Sequence, residues 1–252
     1  MSDNKKFFSH NTLETNAGWL IVMTVVVVAI AGLVQIVPLF FQHSTTKPAE
    51  GVTPYSALRL AGRDVYQREG CVGCHSQHIR TLRSETERYG PYSVAGESVF
   101  DRPFLWGSKR TGPDLHRVGA KYNDNWHFNH MWDPQSTSPG SIMPGYKWLY
   151  DNKPMDYSQI EKKMQVMVTL GVPYTEDDIK NAKKSIDEQA SQIEKNLYAD
   201  PDFVKSYEES KKNAATRGEE FVSMKDREIT ALIAYLQRLG TDIKVKETAQ
   251  NK

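Results

Sequence analysis

Cys71 and Cys74 are the only cysteines in a chain of 252 residues, and His75 stands directly behind them in GCVGCHSQHIR, Gly70 to Arg80. Two thiols at this spacing can close a disulfide, hold a metal, run thiol–disulfide exchange or be alkylated by a covalently bound group. Each chemistry makes a further demand. Zinc needs ligands beyond these three side chains, and no second cysteine pair exists. A thioredoxin-like pair needs a βαβ setting, for which the sequence shows no pattern. Cys-x-x-Cys-His is also the attachment signature of c-type haem, where both thiols form thioethers to the porphyrin and the histidine ligates iron. Two intervening residues let the thiols reach neighbouring vinyl groups, and the next side chain then falls under the iron. The expected cofactor is one haem c, covalently attached through Cys71 and Cys74 with His75 as an axial ligand. A disulfide and a zinc site are the alternatives.

Haem iron needs a sixth ligand or an open position, and that choice separates an electron carrier from a catalyst or sensor. Met143, in SPGSIMPGY, is the first candidate, because a loop of Pro and Gly can aim a thioether free of helical constraints. Met131 is the second, and His78, His116, His127 and His130 offer bis-histidine alternatives. Trp106, Trp126, Trp132, Trp148 and Tyr146 are candidates for the apolar wall. Arg80, Lys109 and Arg110 are candidate partners for haem propionates, with solvated surface charge as the alternative. No nucleophile–base constellation and no phosphate-binding glycine loop is visible, so catalysis by this chain alone is not expected.

These residues must be positioned by the elements around them. Ala17 to Phe41, AGWLIVMTVVVVAIAGLVQIVPLFF, sits in a stretch with no charged residue between Glu14 and Lys47. About 25 residues at helical rise reach on the order of 37 Å, enough to cross a bilayer with some tilt. Ala29-Ile30-Ala31 has the form of a signal-peptidase site. The apolar run continues past it through Phe40, which favours an uncleaved anchor. Lys5 and Lys6 before the span point to a cytoplasmic tail over residues 1–16, placing the chain from His43 onward on the outer side. Residues 42–54 read as a linker, and 55–245 as the main domain, with a tail at 246–252. YSALRLAGRDVYQREG has helical periodicity and stops at Gly70, so the cysteine motif opens directly after a helix. Pro91, Pro103 and Pro113 rule out long helices between Thr81 and Asn125. Helices are expected over Asn125 to Trp132, Tyr157 to Leu170, Thr175 to Leu197 and from Pro201, and in KDREITALIAYLQRLG. The segment 178–224 reads as a charged helical hairpin on the surface. The pattern is all-α. A net charge of +1 with dispersed basic residues gives no footprint for nucleic acid.

GRDVYQREGCVGCHSQHIR, SETERYGPYSVAGESVFDRPFLWGSKRTGPDLHRVGAKY, SIMPGYKWL, LGVPYT and REITALIAYLQRLG together closely resemble the membrane-anchored mono-haem cytochrome c subunit, CcoO or FixO, of cbb3-type cytochrome c oxidases. The resemblance implies a single N-terminal transmembrane helix and a class I cytochrome c domain, in which 178–224 would be an inserted hairpin. It carries the axial ligands onto His75 and Met143. It also implies electron transfer from a soluble cytochrome c donor or a di-haem cytochrome c subunit to a catalytic haem-copper subunit that reduces oxygen and pumps protons. The setting is the bacterial inner membrane, with the haem domain in the periplasm. The anchored cytochrome c subunit of nitric oxide reductase and an open-site haem sensor or enzyme are the alternatives.

Overall fold

The computed structural model of the chain describes residues 10–107 and 109–242. The start of the expected cytoplasmic tail, with Lys5 and Lys6, and the tail 246–252 lie outside the described residues. The chain divides into two units, up to Lys47 and from Pro48 onward. Every regular element among the described residues is helical.

In the first unit, helix α1 (Ala17–Ile36) starts where the Asn16 side chain accepts from the Trp19 amide at 3.2 Å. A 3-10 turn, Val37–Phe41, extends it, with Pro38 placed where a missing amide donor costs little. The apolar stretch Ala17–Phe41 is long enough to cross a membrane, and no part of it is buried against the chain. A helix apolar on all sides needs lipid or another protein around it. This is consistent with a single-pass membrane anchor.

The second unit is organised by a crossing of α2 (Ala57–Arg68) and α8 (Glu228–Leu236). Leu58, Leu60, Val65 and Tyr66 of α2 and Ile229, Leu232, Ile233 and Tyr235 of α8 are buried. The crossing depends on Gly62: a Cβ there would lie 1.8 Å from the Ala231 carbonyl oxygen. Between these helices the chain runs through α3 (Arg83–Tyr89), α4 (Asp124–Trp132), α5 (Ile160–Thr169), α6 (Ala182–Leu197) and α7 (Pro201–Thr216).

The folded unit begins earlier than the expected boundary at 55. Ala49 N–H donates to the Gly96 carbonyl at 3.0 Å, and Arg238 donates to Thr53 Oγ1 at 3.0 Å. The long helix expected from Thr175 is broken at Asn181. A short helix, Glu176–Lys180, keeps the capping box of Thr175 and Asp178, and α6 starts afresh. The segment read as a surface hairpin is only partly superficial. Ala182, Ile186, Ala190, Ile193 and Leu197 form a buried stripe on α6, which packs against α2, α4 and α8. Helix α7 starts on the Asp200 cap and Pro201, and adds Phe203 and Tyr207 to an aromatic cluster with Phe128, Tyr198 and Phe221. Arg227, buried at the start of α8, donates to the carbonyls of Tyr150 (2.7 Å) and Val222 (2.7 Å), tying two loops to that helix.

Replacing glycine with alanine inside a helix normally gains about 1 kcal/mol from propensity. At Gly62 the steric term has the opposite sign and is larger, because the helix backbones must separate. Gly62→Ala is expected to lower stability by about 3 kcal/mol, at the upper end of overpacking costs, measured by urea denaturation. A gain in stability would show that the crossing does not require close approach.

Candidate cofactor site

The cysteine motif leaves α2 through Gly70, whose φ of 70° lies in the left-handed region that stops helices. The next residues coil into a tight turn: Gly73 N–H reaches Gly70 O at 2.9 Å, and His75 N–H reaches Cys71 O at 2.8 Å. Both thiols are free. Burial pushes the Cys71 thiol up to about 12, so it is not the activated thiolate that disulfide exchange uses. The Tyr66 hydroxyl donates to the His75 carbonyl at 3.2 Å, and the buried Tyr235 hydroxyl pairs with the Gln77 amide. The turn is thereby pinned to both crossing helices.

A second segment, Thr111 to Leu115, lies alongside. The Thr111 and Gly112 amides donate to Cys74 O at 2.9 and 3.0 Å, and the Leu115 amide to Ser76 O at 2.9 Å. Asp114 clamps the pair. Its Oδ2 accepts from Ser76 Oγ (2.5 Å), the His78 amide (2.9 Å) and Arg110 (3.3 Å), and its Oδ1 from the His116 amide (2.8 Å). The clamp sets the His75 ring. Its Nδ1 lies 2.8 Å from Pro113 O, and a carbonyl can only accept, so Nδ1 carries the proton and Nε2 keeps its lone pair. A Cβ on Gly112 would lie 2.3 Å from His75 Cε1, so only glycine leaves room for the ring.

The Met143 loop follows α4, which starts on an Asn123 cap. Tyr146 N–H donates to Met131 O at 2.7 Å, and the Met143 amide to Ser141 Oγ at 3.2 Å. A Cβ on Gly145 would lie 2.6 Å from Trp132 O, so this glycine lets the loop close against α4.

Cys71, Cys74, His75 and Met143 all line one cavity of about 510 Å³, together with Leu232 and Leu236 of α8. Met131 lines it as well. The volume falls within the range of about 300–1,000 Å³ typical of cofactor pockets. Two free thiols, an imidazole nitrogen with an unused lone pair, a thioether and apolar walls form a donor set that fits haem.

Several expected contacts lie elsewhere. Arg110 donates to Glu85 (2.8 Å) and Ser76 (2.6 Å), and Arg80 pairs with Glu85. Neither these nor Lys109 lines the cavity, because nearby carboxylates and backbone oxygens of this loop claim the two arginines. Trp126 and Tyr146 do line it. Trp106 instead stacks on His78 with ring centroids 4.2 Å apart, Trp148 donates to Glu69, and Trp132 is half-exposed. His116 is held between Gln77 O (2.7 Å) and Glu97 (2.8 Å). His127 and His130 line the cavity, as do Arg117 and Lys121, which the sequence reading did not single out. Their only sequence signal was position within the stretch between the cysteine motif and Met143.

Comparison with known families matches residues 10–243 to the family described as cytochrome c oxidase, mono-heme subunit/FixO. No curated protein matches the chain.

Two carboxylates support these loops with the same sign of pH dependence. Hydrogen bonding from Arg110 and Arg80 holds Glu85 at about 2. Burial alone would raise Glu97, but His116 and Arg117 outweigh it and hold this group also at about 2. Each carboxylate therefore has a folded pKa below its unfolded value of about 4.3. The stability they contribute is complete above that value and is lost as pH falls toward 2. Thermal melts between pH 5 and 2 are expected to show this decline, with a shallower slope in Glu97→Gln. An equal slope in the variant would remove Glu97 from the linkage.

Proposed function

The chain belongs to the mono-haem subunit (FixO) family of cytochrome c oxidase, and from that premise we propose that it relays single electrons within a cbb3-type terminal oxidase. Family membership gives a haem cofactor and a catalytic oxidase partner in a membrane complex. The finer reading has the haem held covalently by Cys71 and Cys74, with His75 and Met143 as axial ligands. The observation that carries it is the convergence of these four side chains on one apolar cavity.

When bound, the haem supplies a reversible one-electron couple. Each residue has a separate task. The two thiols hold the group in place as thioethers. His75 offers Nε2 because Pro113 O has fixed the proton on Nδ1. Met143 fills the remaining position, which raises the potential and keeps small molecules off the iron. Leu232 and Leu236 keep water from the buried face. The electron donor is a soluble cytochrome c or a di-haem cytochrome c subunit, and the acceptor is the catalytic haem-copper subunit. The apolar stretch Ala17–Phe41 anchors the chain in the bacterial inner membrane, with the cofactor domain on the periplasmic side.

Purification of the tagged chain from its native membrane, followed by haem and metal analysis, tests the assignment. Haem c accompanied by haem b and copper is the expected outcome. Haem b with non-haem iron and no copper would assign the chain to a nitric oxide reductase. Met143→Leu in the purified complex is expected to lower the haem potential by about 59 mV or more, a tenfold change for one electron, measured by spectroelectrochemical titration. An unchanged potential removes Met143 from the axial position.

A further inference from the structure

A second space adjoins the cofactor cavity. It is an open groove of about 800 Å³ bounded by the loop over residues 120–125, by α6 and by the end of α8. Gln189, Gln192, Ile193 and Asn196 line it from the i, i+3, i+4 and i+7 positions of one helical face. That stretch of α6 covers about 10 Å at helical rise, the length of roughly three residues of extended chain. Lys121 and Tyr122 line both the groove and the cofactor cavity. Tyr122 stacks on Trp126 with ring centroids 3.8 Å apart, and Trp126 stacks on His130 at 4.5 Å, so one aromatic column joins the groove to the cavity wall.

The charges of the groove are unbalanced. Arg59 of α2 and Lys121 line it, and neither forms an ion pair with a carboxylate among the described residues. Leu58 and Leu60 are fully buried on either side of Arg59, so the half-buried arginine is what α2 opens toward solvent here. Burial and the nearby Arg238 guanidinium push Arg59 down from the usual arginine range, and an arriving carboxylate would offset both. The acid among the lining residues, Asp124, is already taken: Oδ1 accepts from Gln237 at 2.7 Å and Oδ2 from Asn196 at 2.7 Å. Among the described residues Asn123 keeps its Nδ2 and Gln192 its Oε1 free, one donor and one acceptor, the pair that a peptide unit needs. Two uncommitted cations and a row of carboxamides match acidic side chains carried on an extended backbone.

Resting on the oxidase reading above, we propose that this groove seats an acidic, extended segment of another chain of the oxidase complex. Its carboxylates meet Arg59 and Lys121, and its backbone runs along the amides of α6. Because Lys121 and Tyr122 belong to both spaces, a segment seated there holds its parent chain next to the cofactor cavity.

The first test uses the complex purified from its native membrane. A carbodiimide, which joins amines to carboxylates in contact, is expected to link Lys121 to an Asp or Glu of another chain, identified by mass spectrometry. A Lys121 linked only within its own chain, or left free and readily acetylated, would overturn the proposal. The second test uses the purified full-length chain and a labelled hexaglutamate peptide, with binding followed by fluorescence anisotropy at fixed ionic strength. Saturable binding is expected, weakened at least tenfold in Arg59→Gln/Lys121→Gln and less than twofold in Lys195→Gln/Lys205→Gln, which removes the same charge outside the groove. Equal weakening in the two variants would reduce the effect to net charge and overturn the site. Displacement of the peptide by an equal concentration of inorganic phosphate or of glycerophosphoglycerol, the headgroup of an anionic lipid, would overturn the polypeptide assignment. Failure of the underlying reading looks different: the purified chain would lack a thioether-haem spectrum and come without an oxidase, whatever its affinity for the peptide.

Discussion

The fold depends on one close approach, where the backbone of α2 at Gly62 meets the backbone of α8 at Ala231. Without a side chain at position 62 the helices come near enough for Leu58, Val65 and Tyr66 to pack with Leu232, Ile233 and Tyr235. Two sides of the cofactor cavity are referenced to that contact. The cysteine turn begins two residues after α2 ends, Leu232 and Leu236 of α8 line the cavity, and Tyr66 and Tyr235 hold the turn by hydrogen bonds from both helices. Residues 62 and 231 are far apart in sequence, so their contact also closes most of the folded unit into a single loop around the site.

A second constraint is electrostatic and acts on the loops that helices do not reach. Asp114 gathers donors from Ser76, His78, Arg110 and His116, and Glu85 and Glu97 hold the surrounding cations. This region is rich in Pro, Gly and Arg and has little apolar burial to order it. Charge-assisted hydrogen bonds do that work instead. Such bonds are directional, so they fix His75 and Pro113 more tightly than a hydrophobic contact of similar energy.

What could be read from the sequence follows from how local each signal is. The apolar helical stretch at Ala17–Phe41 was legible because absence of charge over that length has few explanations. The Asp200–Pro201 start of α7 and the Thr175 capping box were legible because caps are made by neighbours within a turn. The apolar stripe on α6 was visible, but its destination was not: a stripe says that a helix is covered, not by what. The arginines failed for the same reason. Arg80 and Arg110 lie close in sequence to the cysteine motif, yet Glu85 and Asp114 claim them, and only the tertiary structure decides which acid a cation meets. Gly112 and Gly145 gave no signal beyond a flexible loop, though each is required by a close approach to His75 or to Trp132.

In the ligand role proposed for His75, its setting bears on speed as well as on binding. Its ring is wedged against Gly112 and tied through Nδ1 to Pro113 O, on a segment that Asp114 already holds rigid. A redox centre whose ligand can barely move has nearly the same geometry in both oxidation states. Little nuclear rearrangement then accompanies each electron, in the way that preorganised dipoles spare an enzyme the cost of reorientation. In that role the missing side chain at Gly112 would help to set the reorganisation energy of the centre, and through it how fast the centre could be charged and discharged.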